Sequence, residues 1–271
     1  MKRKIIIFGG CGFVGTNLYL KLFKKFEIHL VDNFYKLDSR KNFNELKKIE
    51  KNIQFYKIDV RDKKNIDLII KKIKPFFIII LTGQVSMIKS IENPIEDMEI
   101  NLSGTLNILD SYKKINIKEK YVIFTSSNKV YGNLDYLNLL KKGKRYLNKS
   151  KLKLNEKLPV DLKTPYGCSK GAAEIYIKEY SRLSNIKYFI LRHSSIYGNF
   201  QNSNINQGWF NWFINEYKKF KNNKKNQINT FGSGYQVRDL LHIEDLSDLY
   251  LKIINQANST HNITLNIGGG F

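Results

Sequence analysis

Cysteine is nearly missing from this chain of 271 residues: only Cys11 and Cys168 occur. They lie in different segments and make no pair of the Cys-x-x-Cys kind that holds a metal. No metal site is expected, and a reduced, cytoplasmic setting suits so small a thiol content. Arginine is scarce as well. Of 46 basic residues only seven are Arg, and the other 39 are Lys. A formal charge of +22 would ordinarily point to nucleic acid or an anionic surface. Base readers favour the bidentate arginine fork. Here the lysines scatter over helix faces and loops, as in "KLFKKF" and "YKKFKNNKKN". A drift in composition explains the charge better than a binding patch, so no nucleic-acid partner is expected. Long apolar runs are missing too. "PFFIIILTG" is too short to cross a bilayer. The apolar run at residues 5–8 behind "MKRK" is too short for the core of a signal peptide. No membrane partner is expected.

What the chain does contain is a rhythm. Hydrophobic content is 42%, enough for a sizeable core. Short apolar runs at 4–8, 27–31, 53–58, 76–81, 120–125 and 187–192 read as buried strands. Between them lie helical patterns, among them 12–26, 65–73, a long one over 94–114, and one opening at Tyr166. Apolar strands alternating with helices predict a doubly wound, Rossmann-type α/β fold with a parallel sheet covered on both faces. Two stretches break the rhythm. Residues 133–163 form a polar, Lys-rich insertion. Residues 199–228 carry "NQGWFNWFINEYKKFK", a helix outside the alternation. The expected division is a dinucleotide domain of residues 1–192 and 229–270, with 193–228 belonging to a small substrate domain. "TLNIGGGF" closes the chain on a strand and glycines, so the rest of that domain is expected beyond residue 271.

The chemistry-bearing motifs fall at strand ends. "GGCGFVG" sets Gly9, Gly12 and Gly15 between a strand and a helix, with Phe13 and Val14 on the first turn. Glycines there let the backbone approach a pyrophosphate at a helix N-terminus. Asp32 ends the second strand. A carboxylate at that place accepts from an adenosine ribose and repels a 2′-phosphate, which favours NAD over NADP. Asn33 follows it. Asp59, with Val60, ends the third strand, within reach of an adenine edge. "FTSSNKVYG" brings Ser127 and Asn128 to the carboxyl edge of the sheet, where open α/β sheets bind ligands. "TPYGCSKGAAE" sets Tyr166 and Lys170 four residues apart, on one helix face.

These residues resemble the extended short-chain dehydrogenase/reductase family of nucleotide-sugar epimerases and dehydratases. The likeness runs over essentially the whole chain. It implies a Rossmann-type NAD domain and a smaller nucleotide-sugar domain. Position by position it makes Ser127, Tyr166 and Lys170 catalytic, with Lys170 also on the nicotinamide ribose. Arg238 in "QVRDLLHIEDL" falls where the family pairs an Arg with the substrate diphosphate. Ser195 in "RHSSIYG" stands where many relatives have Asn. "GQVSMIKSIENP", "SSNKVYGNL", "RHSSIYG" and "NQGWFNWF" are similar to a narrower branch acting on CDP-sugars, which implies a CDP-sugar partner and a homo-oligomer. Family dehydratases place an Asp-Glu acid pair directly after the catalytic Ser/Thr. Here Asn128 and Lys129 stand there, which disfavours elimination. Redox epimerisation needs no such pair. In that reading Lys170 lowers the Tyr166 pKa and the phenolate takes a proton from a sugar hydroxyl. His193 and His242 lie in motif stretches, yet a lone His is more often a packed, hydrogen-bonded residue than a catalyst. Trp209, Phe210, Trp212 and Phe213 read as core or dimer contact before base stacking.

Overall fold

The computed structural model describes residues 2–134, 137, 139–149, 155–202, 208–222, 227, 228, 235 and 237–270. Strands β1 (Lys4–Phe8), β2 (Glu27–Val31), β3 (Gln54–Tyr56), β4 (Phe77–Ile80) and β5 (Lys120–Ser127) come first. A hairpin of β6 (Leu139–Lys142) and β7 (Arg145–Asn148) follows, then β8 (Ile186–His193), β9 (Ser195–Tyr197), β10 (Leu240–His242) and β11 (Ile263–Ile267). The helices are α1 (Phe13–Leu22), α2 (Leu37–Ile49), α3 (Lys63–Ile73), α4 (Met87–Glu92), α5 (Pro94–Met98), α6 (Gly104–Lys114), α7 (Thr164–Leu183), α8 (Trp209–Lys221) and α9 (Ile243–Gln256).

Seven strands form one parallel sheet in the order β11-β8-β5-β4-β1-β2-β3. The order reverses at β1, so the crevice for a ligand opens above the β1 and β4 ends. Side chains alternate along the strands and feed two cores. Ile5, Ile7, Ile79, Ile123 and Leu191 pack under α1 and α9 on one face. Ile6, Phe8, Ile78, Val122 and Phe124 pack against α3, α6 and α7 on the other. Burial of both faces explains why the strands are continuous Ile-rich runs.

Three local features refine the sequence reading. The long helix over 94–114 is interrupted by a single π turn, Glu99–Ser103, which turns Asn101 into the interior. The polar insertion holds an antiparallel hairpin, β6–β7, turning at Gly143 with φ +59. Residues expected in the dinucleotide domain divide between two sheets: β11 joins the main sheet, while β10 pairs with β9 apart from it.

Candidate active site

The glycine turn is built by close approach. Gly9 has φ +75, and a Cβ there would stand 2.9 Å from the Thr82 nitrogen. At Gly15 a Cβ would come within 2.5 Å of the Gly9 carbonyl. Protein packing therefore demands both glycines. Gly12 differs, because the nearest atom to its Cβ would be the Gly9 carbonyl at 3.3 Å, and the remaining side is the cavity. A glycine kept where the protein barely crowds it clears room for a ligand's phosphates beside the start of α1.

Two cavities share Gly9, Gly12, Lys36, Leu81 and Gly83, and so form one trough along the carboxyl ends of the strands. Asp32, Asn33, Asp59 and Val60 line the first end. Asp32 accepts from the Cys11 amide at 3.1 Å and the Phe34 amide at 2.9 Å, so it fastens the glycine turn. Burial pushes its pKa up, while the two amides oppose that shift. Asp59 lies past the end of β3 and is clamped by Arg61, whose Nε and Nη2 reach it at 3.0 and 2.9 Å. Asn33 adds a bond at 2.7 Å. Those bonds, the Arg61 side chain first, hold the Asp59 pKa down at about 2.

The other end has a volume of about 360 Å³ and collects Phe13, Val14, Gly15, Ser127, Tyr166, His193, Ser195, Trp209 and Phe210. Tyr166 enters it from the first turn of α7 and shares the cavity wall with Ser127. Burial is the largest influence on the phenol and lifts its pKa to about 12; the Ser127 hydroxyl works against it and the Asp97 charge works with it. Lys170 does not bond to the phenol. It lies beneath the trough wall, donating to the Thr125 carbonyl at 2.9 Å and sitting 4.7 Å from the Phe124 ring. Burial lowers the Lys170 pKa to about 8, with Asp97 and Glu174 holding it up. Within the chain alone, then, burial outweighs any acidifying effect of Lys170 on Tyr166.

Asn128 and Arg238 line a neighbouring cavity of about 510 Å³, which meets the trough at Ser194. Lys129 joins Arg238 there. Ser195 accepts from the Trp209 indole at 3.3 Å. Of the aromatic stripe, Trp209 and Phe210 face the cavity. His242 is used locally, its Nδ1 accepting from the Glu244 amide at the start of α9.

Sequence reasoning passed over Lys36, Thr82, Gly83 and Gln201, all of which line the trough. "LTGQ" follows a buried strand as "TSSN" does, and the same strand-end argument would have found Thr82 and Gly83. Lys36 sits in a loop with no period to mark it. Several buried polar atoms along the trough lack a partner among the described residues: Thr82 Oγ1, His193 Nε2, Ser194 Oγ and Gln201 Oε1. Buried polar groups are normally paired, so this line of unpaired atoms fits a long polar ligand such as a dinucleotide. Among the described residues no group of three or more His, Cys, Asp or Glu is placed to hold a metal. No helix among them is long and apolar enough to cross a membrane.

Residues 5–268 match the NAD dependent epimerase/dehydratase family. The CDP-paratose 2-epimerase of Salmonella typhi is 36% identical over 268 residues, covering 98% of this chain and 79% of the relative. A putative UDP-glucose 4-epimerase of Methanocaldococcus jannaschii is 33% identical, covering 96% and 76%. Among solved structures, a UDP-glucuronic acid 4-epimerase from Bacillus cereus, in complex with UDP-glucuronic acid and NAD, superposes with a TM-score of 0.79 at 24% identity, over 99% of this chain and 78% of that one. The Thermus thermophilus UDP-glucose 4-epimerase complex with NAD gives 0.76 at 23%, over 98% and 77%. Those two likenesses establish the fold, and with the family match over nearly the whole chain they lead to one conclusion: this chain is an enzyme of the NAD dependent epimerase/dehydratase family.

Proposed function

We propose that the enzyme is a nucleotide-sugar epimerase that interconverts CDP-paratose and CDP-tyvelose by inversion at C2. One observation carries the epimerase reading. The cavity around Ser127 and Tyr166 is lined by no carboxylate among the described residues. Expelling water from a sugar calls for a carboxyl acid, whereas oxidation and re-reduction at one carbon calls only for a base. The 36% identity to a CDP-paratose 2-epimerase supports the choice of substrate.

In this mechanism the Gly9–Gly12–Gly15 turn and α1 would receive the cofactor's phosphates and Asp32 its adenosine ribose; Lys170, assigned to the nicotinamide ribose by the family resemblance, would have to exchange the Thr125 carbonyl for it. Phe13, Val14, Asn33, Asp59 and Val60 complete that surface. When bound, NAD would supply a positive ring and reversible two-electron oxidation of a carbinol to a ketone. Tyr166 takes the proton of the sugar hydroxyl, while Ser127 bonds the reacting oxygen. The ketone turns over, and Tyr166 returns the proton as it becomes an alcohol again. Arg238 holds the diphosphate from the neighbouring cavity, and Asn128 and Ser195 hold the sugar. Ile88, Ile91 and Ile95 are exposed on α4 and α5, which pack against α7, where Ile175 is exposed too; these side chains offer apolar surface to a second copy of the chain.

A second reading, a UDP-sugar 4-epimerase, is favoured by the 33% identity to such a relative. A panel of CDP-, UDP-, GDP- and dTDP-sugars, with products resolved by NMR, separates the two. Conversion of CDP-paratose is expected. Turnover of UDP-glucose with CDP-paratose untouched would overturn the proposal.

A further inference from the structure

His193 takes no part in the mechanism above, yet it sits in the trough. It ends β8, level with Ser127 across the β5–β8 ladder. The ring is buried, stacked 6.4 Å from Tyr250, and forms part of the cavity wall. Its Nδ1 lies 3.4 Å from the Ser126 carbonyl. A carbonyl only accepts, so Nδ1 carries the proton. Burial keeps the imidazole neutral, its pKa pushed down to about 4. Nε2 is then a bare lone pair, buried and without a partner among the described residues. Ser194, the next residue, has an unpartnered hydroxyl in the same cavity. The pair offers one atom that only accepts and one that donates. A primary amide presents the complement, an NH2 and a carbonyl side by side.

We infer that His193 positions the cofactor, its Nε2 accepting a hydrogen bond from the amino group of the nicotinamide carboxamide, with Ser194 donating to the carboxamide oxygen. A sugar hydroxyl is the competing donor. Depth decides between them. A cofactor that is not consumed lies innermost, against the strand ends, and the exchanging substrate lies above it. His193 belongs to the innermost layer, because it stands on a strand end with only 4% of its surface exposed. The inference rests on the family's cofactor and not on the identity of the sugar.

The test compares NAD with 3-acetylpyridine adenine dinucleotide, which keeps the ring charge and the carbonyl but lacks the amino group. Binding is measured by calorimetry without any sugar, so a wrong substrate assignment leaves the result untouched. Wild type is expected to bind NAD roughly tenfold more tightly than the analogue. His193→Phe is expected to bind the two alike. In wild-type protein labelled with ¹⁵N-histidine, the His193 Nε2 resonance should move on addition of NAD and stay with the analogue, a readout that needs no variant to fold. Equal affinities in wild type, a preference that survives in the variant, or an Nε2 resonance indifferent to the amino group would each overturn the inference. So would a variant that keeps the NAD preference and loses only nucleotide-sugar affinity, since the acceptor would then belong to the sugar.

Discussion

The Ser169 hydroxyl donates to Asp97 at 2.5 Å, tying the residue before Lys170 to a fully buried carboxylate. Gln84 and Asn101 donate to the same carboxylate at 3.0 and 3.2 Å. Asp97 also acts at a distance, raising the pKa of both Lys170 and Tyr166. The other charges felt by Lys170 are Glu174, which raises its pKa, and Lys36, which lowers it. Asp97→Asn removes one negative charge and keeps the shape, so both pKa values fall. Lys170 loses its proton at about 8, so an alkaline fall in kcat/KM set by that proton should move to lower pH. A lower rate with that fall in place would reduce Asp97 to packing.

Tyr166→Phe removes the phenol oxygen and keeps the ring. Turnover of the nucleotide-sugar should fall by roughly 10²–10⁴-fold, the usual worth of a positioned acid–base group. NAD affinity, followed by calorimetry, should change little. Activity within a few-fold of wild type would take Tyr166 out of the proton path.

Epimerisation in heavy water should leave the inverted carbon free of deuterium. In the oxidation–reduction route no protein base ever holds the hydrogen of that carbon, so solvent has no access to it. NMR of the product reads this directly. Deuterium at C2 would mean that a base abstracts and an acid returns the proton.

Stability should decline on mild acidification because of His193. Its folded pKa of about 4 lies below its ordinary 6.5, so between those values the unfolded chain binds more protons. Stability is thus fully present above pH 6.5 and is lost as pH falls towards 4, with a slope approaching about 1.4 kcal/mol per pH unit. Urea titrations at pH 6.5, 5.5 and 4.5 measure the slope. His193→Gln, which does not titrate, should flatten it in that window; an unchanged slope would assign the effect to other groups.

Much of this fold is legible because burial on both sheet faces writes itself into the chain as uninterrupted apolar runs. Residues 4–8 and 27–31 are strands to the residue. The candidate trio was legible for a related reason: Ser127 ends the strand that carries such a run, and a four-residue spacing sets Tyr166 and Lys170 one turn apart on α7. The β6–β7 hairpin was not. In "LLKKGKRYLN" the side chains of β6 are exposed on both faces, so no alternation marks it, and only Gly143 hints at its turn. Asp59 was read as the end of a strand and instead lies three residues past β3, lining the trough; its clamp by Arg61, two residues on, was missed. Lys36 and His193 owe their importance to what closes over them, and that is a property of the assembled sheet.

The last three residues of β5 leave the strand in three directions. Thr125 bonds to the Tyr250 hydroxyl of α9 at 3.1 Å, Ser126 bonds to buried Glu174 of α7, and Ser127 opens onto the trough. Glu174 is itself forked to Arg192 on the adjoining strand. A strand turns over its side chains with every residue, so inserting or deleting one position anywhere in β5 would reassign all three hydroxyls together. Ser127 would turn to the Glu174 face, and Ser126 would leave it. Length variation along a lineage of such enzymes should therefore gather in surface connections such as 133–163 and spare 120–127, even though Thr and Ser there are interchangeable in size and polarity. What this strand has to keep is a count as much as a composition.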